Sequence, residues 1–287
     1  MTFNEYALAH EPTIRLAAFF GIFALMAIWE TAAPRRARLY SRGVRWTANL
    51  GLVILNSVLL RLVFPMAAVG FATLAAERGW GLLNAFAVPD WAAFVLAVVA
   101  LDCAIYLQHV MFHAVPVLWR LHRVHHADPD FDVTTGARFH PIEIVLSMLI
   151  KFAVIAVLGA PAAAVLIFEV LLNATAMFNH ANVKLPAGVD RILRRLLVTP
   201  DMHRVHHSTE VAEANSNFGF NLPWWDRLFG TYRAAAHLPQ ERMAIGVQGL
   251  TGDPRCVRLP GMLALPFLGA GSDYAIGHEL DPTREAR

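Results

Sequence analysis

The chain has 287 residues, 56% of them hydrophobic and 16% charged, with a formal net charge of +2. A mean hydropathy of +0.46 is too apolar for an ordinary water-soluble domain, and so slight a basic excess implies no nucleic-acid partner. Two cysteines, Cys103 and Cys256, supply neither a disulfide framework nor a Cys-x-x-Cys knuckle, so any metal must find other ligands.

The opening stretch, MTFNEYALAHEPTIR, lacks a basic start running into a short apolar core and a cleavage site, so its retention is expected. Residues 14–33 satisfy the requirement of about 20 mostly apolar residues for one membrane span. A second apolar segment covers 48–76, is interrupted by Arg61 and Pro65, and is predicted to kink at the proline. The third, 91–113, carries Asp102 in its middle and two histidines at its end. Residues 142–180 are too long for one span, and Gly159-Ala160-Pro161 divides them into a hairpin of helices. The apolar run 259–269 is too short and too broken by Pro and Gly to cross, so it is expected on the interface or packed on the polar domain. The predicted fold is all-α: an integral membrane bundle of three spans plus a helical hairpin, joined to a histidine-rich helical metal domain.

Arg35, Arg36, Arg38, Arg42 and Arg45 between the first two spans place that loop in the cytosol by the positive-inside rule, while residues 77–90, with Arg78 as their one base, face outward. Counting crossings then puts 114–141 and everything after 180 on the cytosolic side. Arg120, Arg123 and Arg138 in the first, and Arg191, Arg194, Arg195 and Arg204 in the second, agree.

Thirteen histidines are present, and their spacing carries the chemistry: His109-x-x-x-His113, His122-x-x-His125-His126, His180, and His203-x-x-His206-His207. Residues three or four apart on a helix share a face, so each cluster is expected to present its imidazoles toward one point. Crowded imidazoles need hydrogen-bond partners and repel when protonated, a cost that a shared cation relieves. Imidazole suits iron, zinc and copper alike. No His-Glu-x-x-His motif of a hydrolytic zinc site occurs, and nine histidines exceed what one tetrahedral zinc can use. Two metal ions are the natural count, with iron the first choice because paired redox-active ions suit oxygen activation. A membrane zinc hydrolase and a non-catalytic metal-binding protein are the competing readings.

The stretches LDCAIYLQHVMFH, LWRLHRVHHADPDFDVTTGARFHPIE, FNHANVKLP and VTPDMHRVHHSTEVAEANSNFGFNLPWWDRLFGTYR resemble the fatty acid hydroxylase superfamily, and within it the bacterial sterol-desaturase-like branch, from about Asp102 to Arg233. The resemblance implies a diiron centre with O2 as co-substrate and a lipid, such as a sterol, hopanoid or fatty acyl chain, that is hydroxylated or desaturated. It further implies electrons from a separate donor, a ferredoxin- or cytochrome-type reductase system, and a bacterial inner-membrane location. Carried onto this sequence, the implied ligands are His109, His113, His122, His125, His126, His180, His203, His206 and His207. Some relatives carry another histidine four residues before the one matching His180; here that position is Ala176, so the coordination of one metal is expected to be more open or completed by water. On this reading the chain divides into a transmembrane region 1–90, a catalytic region 91–233 and a cytosolic or interfacial tail 234–287.

Around the ligands, His140 and Glu143 in the RFHPIE segment are candidates for a supporting role. Asp102 and Tyr106 share a helical face with His109 and His113, and Asp102 is a candidate to orient an imidazole. Asn179, Asp201 and Asn217 are candidates of the same kind. The aromatic segment 224–232 is expected to cap the metal domain near the headgroups.

Overall fold

The computed structural model describes residues 3–86, 88–269 and 274–276. They are mostly helical, with a long non-helical connection over 229–253, and among them no strand forms, only isolated bridges such as Pro34 to Val183. In chain order the helices are α1 Phe3–Ala9, α2 Glu11–Ala32, α3 Arg42–Val63, α4 Ala68–Glu77, α5 Leu82–Ala85, α6 Asp90–Ala114, α7 Pro116–His126, α8 Pro141–Leu158, α9 Ala162–Asn179, α10 Ala187–Leu193, α11 Pro200–His206, α12 Val211–Ala214, α13 Trp224–Leu228 and α14 Leu259–Ala264.

Five helical segments are long and apolar enough to cross a membrane: α2, the interrupted stretch Arg42–Ala85, α6, α8 and α9. Their outward faces stay apolar, with Leu16 and Phe20 on α2, Ile54, Val58 and Leu62 on α3, and Leu149 on α8 all exposed. Such continuous exposed apolar stripes suit hydrocarbon rather than water. The second segment departs from the expected kinked span. α3 stops at Val63, Phe64 turns to an extended conformation before Pro65, and α4 begins anew at Ala68. The proline ring disfavours helical geometry in the residue before it and lacks the amide needed to continue the ladder, so the helix breaks instead of bending.

The division of 142–180 falls where the sequence places it. Gly159 caps α8 in the left-handed conformation at φ 70°, and Pro161 precedes α9. A Cβ on Gly81 would sit 2.0 Å from the Gly159 amide nitrogen, so the two backbones meet in a way only glycine permits. Below this turn, Ala68, Ala72, Ala97, Ala160 and Ala164 join Leu101, Ile155 and Phe168 in one buried cluster, the small side chains that let membrane helices approach closely. Within the bundle, Glu169 of α9 takes Arg15 of α2 and Lys151 of α8, both at 2.5 Å. Arg15 also bonds Glu11 at 2.8 Å, so the charges set among these apolar helices are paired with one another.

At the other end the spanning helices carry polar anchors for the connecting loops. Arg45 of α3 grips Asp128 with two hydrogen bonds of 2.8 and 2.7 Å and also pairs with Asp132. Glu30, near the end of α2, accepts the Val133 amide at 2.7 Å and the Asn182 amide at 3.0 Å. The segment 259–269 packs against α3 and α7, its carbonyls at Leu265, Pro266 and Leu268 taken by Arg123 and Arg120.

Candidate metal centre

α6 delivers His109 and His113 at its last turns, α7 delivers His122, His125 and His126, α9 ends at His180, and α11 with its cap supplies His203, His206 and His207. All nine side chains are buried. They converge as two groups, His109, His113, His122, His126 and His206 in one and His125, His180, His203 and His207 in the other, with one ring nitrogen per residue lying within 4.8 Å of the rest of its group. The groups are adjacent: His126 of the first stacks on His207 of the second with centroids 4.5 Å apart.

This arrangement corrects the expectation that each cluster aims at a single point. Each His-x-x-His-His run is divided between the two groups. In α7 the i,i+4 pair His122 and His126 serves the first group while His125 serves the second; in α11 the pair His203 and His207 serves the second while His206 serves the first. The reason is the helical period: the i+3 and i+4 positions flank the first residue from opposite sides, one short of a full turn and one past it, so they face different groups. The remaining asymmetry is that α6 contributes an i,i+4 pair and α9 one histidine. Ala176 occupies the place of the missing partner, and its carbonyl accepts Nδ1 of His180 at 2.8 Å.

The proton positions follow from the acceptors. Nδ1 of His109 donates to the Phe218 carbonyl (2.7 Å), of His113 to Asn215 Oδ1 (3.0 Å), of His122 to Glu143 Oε1 (2.6 Å), and of His206 to the Ser216 carbonyl (2.8 Å). With His180, five rings thus hold their proton on the outer nitrogen and turn the Nε2 lone pair inward. Two of those lone pairs confront one another, with Nε2 of His206 3.0 Å from Nε2 of His109, and Nε2 of His113 lies 3.1 Å from Nε2 of His126. Both nitrogens of His207 and Nε2 of His122 are buried with no protein partner. Between His109 and His206, both protonated on the outer nitrogen, the two inward acceptors have no proton between them, an arrangement that fits a cation.

Burial pushes the imidazoles of His122 and His180 down to about 3, and it holds His125, His126, His203, His206 and His207 well below their ordinary range, with neighbouring imidazoles adding to the effect. At neutral pH these rings are neutral, the form that ligates metals. Next to His126, burial alone would raise the carboxyl of Asp128, but the guanidiniums of Arg45 and Arg138 hold it at about 2.

Of the residues expected to support the ligands, Glu143 alone of the side-chain candidates bonds an imidazole. Asp102 does not; its carboxylate accepts Trp225 Nε1 at 2.7 Å, because α13 lies against that stretch of α6. Tyr106 shares a hydrogen bond with Thr231 and stacks on Phe229. His140 stands outside both groups and caps α8 by accepting the Ile142 amide at 3.2 Å. Asp201 pairs with Arg35 and Arg204. Asn179 donates to the Phe220 carbonyl, and Asn217, at φ 53°, donates to the carbonyls of Met202 and Arg233. Both hold the loop whose carbonyls orient the histidines.

The sequence reading missed Asn215, and it missed Asp226, which accepts the Phe218 and Gly219 amides at 2.7 and 2.9 Å and so fixes the carbonyl that orients His109. The polar run NSNFGF after the last cluster was the available signal for Asn215. Backbone carbonyl acceptors leave none. The aromatic segment that ends in Phe229 and Thr231 packs on α6 beside the centre, through Tyr106 and Asp102, so it is part of the wall around the histidines.

Residues 94–231 match the fatty acid hydroxylase family. The chain is 32% identical over 183 residues to the ornithine lipid hydroxylase OlsE of Rhizobium tropici, covering 64% of this chain and 53% of that protein. It is 28% identical over 141 residues to the alkylglycerol monooxygenase of Homo sapiens, covering 48% and 30%. It is also 28% identical over 254 residues to the very-long-chain aldehyde decarbonylase GL1-1 of Oryza sativa subsp. indica, covering 81% and 39%. The matches therefore span about half or less of these relatives' own length. No solved structure matches. The matched stretch 94–231, just under half of the chain, carries all nine converging histidines, and it is this region that is similar to the fatty acid hydroxylase family.

Proposed function

We propose that the protein is a membrane-bound, non-haem diiron monooxygenase that hydroxylates a lipid, with the nine histidines as ligands and 91–233 as the catalytic region. The observation that carries this reading is the pair of adjacent buried imidazole groups whose lone pairs converge. Two iron ions held there would supply the redox chemistry that cleaves O2 and a C–H bond. One oxygen atom enters the C–H bond and the other leaves as water, consuming two electrons and two protons from a separate ferredoxin- or cytochrome-type donor.

The protein's own contribution is positional. Glu143, Asn215 and the carbonyls of Ala176, Ser216 and Phe218 keep the protons of their histidines on the outer nitrogens. Phe139, stacked on His125 at 4.6 Å, and Phe218 and Phe220, within 5.4 Å of His109, line the groups with apolar surface that excludes water. The likeness to an ornithine lipid hydroxylase and an alkylglycerol monooxygenase favours a polar-headed acyl or alkyl lipid over a ring system, and hydroxylation over desaturation. The arginine-rich loops favour placing the centre at the cytosolic face of a bacterial inner membrane.

The test is a lipidome comparison of cells with and without the gene, grown under isotopically labelled O2, together with metal analysis of the purified protein. A lipid carrying one labelled oxygen and two irons per chain are expected. A lipidome unchanged by the gene, or zinc in place of iron, would overturn the reading.

A further inference from the structure

The C-terminal segment packs on the five-histidine group, and its contacts lead to one ring. The Asn215 amide that faces His113 through Oδ1 donates through Nδ2 to the Tyr274 carbonyl at 2.9 Å. The Ile276 amide donates to the His113 carbonyl at 3.0 Å. Tyr274 is itself fixed: its hydroxyl donates to the Thr209 carbonyl (2.6 Å) and accepts the Gln248 amide (2.7 Å), and its ring stacks on Trp119 with centroids 5.3 Å apart and planes at 12°. Trp119, fully buried, in turn lies 4.8 Å from His113 and 5.2 Å from His126.

The chemistry of these contacts is directional. A carbonyl only accepts, so the Tyr274 carbonyl must face the NH2 end of Asn215. The oxygen end is then committed to His113. An oxygen there requires Nδ1 of His113 to carry the proton, which leaves Nε2 as the lone pair facing His126. Without the Tyr274 carbonyl, nothing among these contacts prevents the amide from turning over and presenting its NH2, which would select the opposite tautomer and place a proton where a cation belongs.

We propose that Tyr274–Ile276 is a positioning element of the metal centre, in which the Tyr274 carbonyl sets the orientation of Asn215 and, through it, the tautomer in which His113 meets a cation. This rests on the reading of the five histidines as ligands, and the test separates the two. Wild type and variants are purified full-length in detergent, stripped of metal and titrated with Co(II), whose visible ligand-field spectrum reports each site. Wild type is expected to bind two ions; failure to bind any would sink the metal reading itself.

Tyr274→Ala, which removes the anchor of the segment, and Asn215→Leu, which removes the relay while keeping a branched side chain, are each expected to weaken one of the two binding steps about 10- to 100-fold and alter its spectrum. Tyr274→Phe keeps the stacking but loses both hydroxyl contacts, and should fall between wild type and Tyr274→Ala. Asn215→Asp keeps an acceptor for His113 but offers the Tyr274 carbonyl no donor, and should bind more tightly than Asn215→Leu while falling short of wild type. Wild-type affinity and spectrum in Tyr274→Ala, or Asn215→Asp binding as poorly as Asn215→Leu, would overturn the proposal. If Tyr274→Ala fails to fold, the contrast between the two Asn215 variants decides.

Discussion

Glu143 Oε1 and His122 Nδ1 lie 2.6 Å apart, both buried, joining the first turn of α8 to the middle of α7. This is the shortest of the contacts that hold a histidine's outer nitrogen, and it comes from a helix that starts beyond the intervening loop. Replacing Glu143 with Ala leaves Nδ1 of His122 without its acceptor and frees the ring to rotate. Metal affinity is expected to fall about 10- to 100-fold, with Glu143→Gln intermediate because its carbonyl still accepts. Equilibrium metal binding with a competing chelator measures this; wild-type affinity in the alanine variant would remove Glu143 from the centre.

Asp128 follows the α7 histidines by two residues and is held by Arg45 through two hydrogen bonds, with Arg138 3.7 Å away. All three side chains are fully buried. Asp128→Asn would leave Arg138 without the carboxylate it pairs with and Arg45 with Asp132 alone, and breaking a buried pair from one side costs about 3–5 kcal/mol. Because loop 127–139 is what Arg45 clamps, the loss should appear as a lowered melting temperature in detergent and faster proteolysis in that loop. Unchanged melting of Asp128→Asn would show the network to be dispensable.

The part of this architecture that was legible in the sequence is the part written in side chains at helical spacing. The hairpin turn at Gly159, the apolar spans and all nine histidines could be read because each has a periodic or steric signature. The division of His-x-x-His-His between two groups follows from the same 3.6-residue period but needs the second helix to be seen. Asp102 misled because helical phase places it beneath His109 and says nothing of α13, which arrives from far along the chain and takes the carboxylate with Trp225. The break at Pro65 and the role of Tyr274 were equally hidden, one resting on how a helix resolves a lost hydrogen bond and the other on a backbone carbonyl.

Acid should dismantle the centre in a defined window. In the folded protein, burial keeps the imidazoles of His122 and His180 neutral down to about 3, whereas an unfolded chain protonates histidine near 6.5. Between those values the unfolded state binds more protons, so stability falls as pH drops, by about 1.4 kcal/mol per pH unit for each such ring. The contribution is fully present above 6.5. Metal-stripped protein is therefore expected to lose melting temperature steeply from pH 7 to pH 5, and the metal-loaded form to lose it less until the ions are released. A flat profile for the stripped protein across that range would contradict the neutral buried cluster.

Ala176 offers the most direct test of the asymmetry between the groups. It lies one helical turn before His180 on α9, is buried, and stands where a second histidine would make α9 the counterpart of the His109 and His113 pair on α6. If the four-histidine group owes its reactivity to an open position, filling that position with a fifth imidazole should keep or tighten metal binding while obstructing O2 or substrate. Ala176→His is thus expected to retain two irons per chain and lose about tenfold or more in lipid hydroxylation, while Ala176→Ser, too short to reach a metal, retains most of it. Metal content and turnover measured on the same preparations separate the outcomes. Full activity in Ala176→His with both irons bound would mean that the reactive position lies elsewhere in the centre.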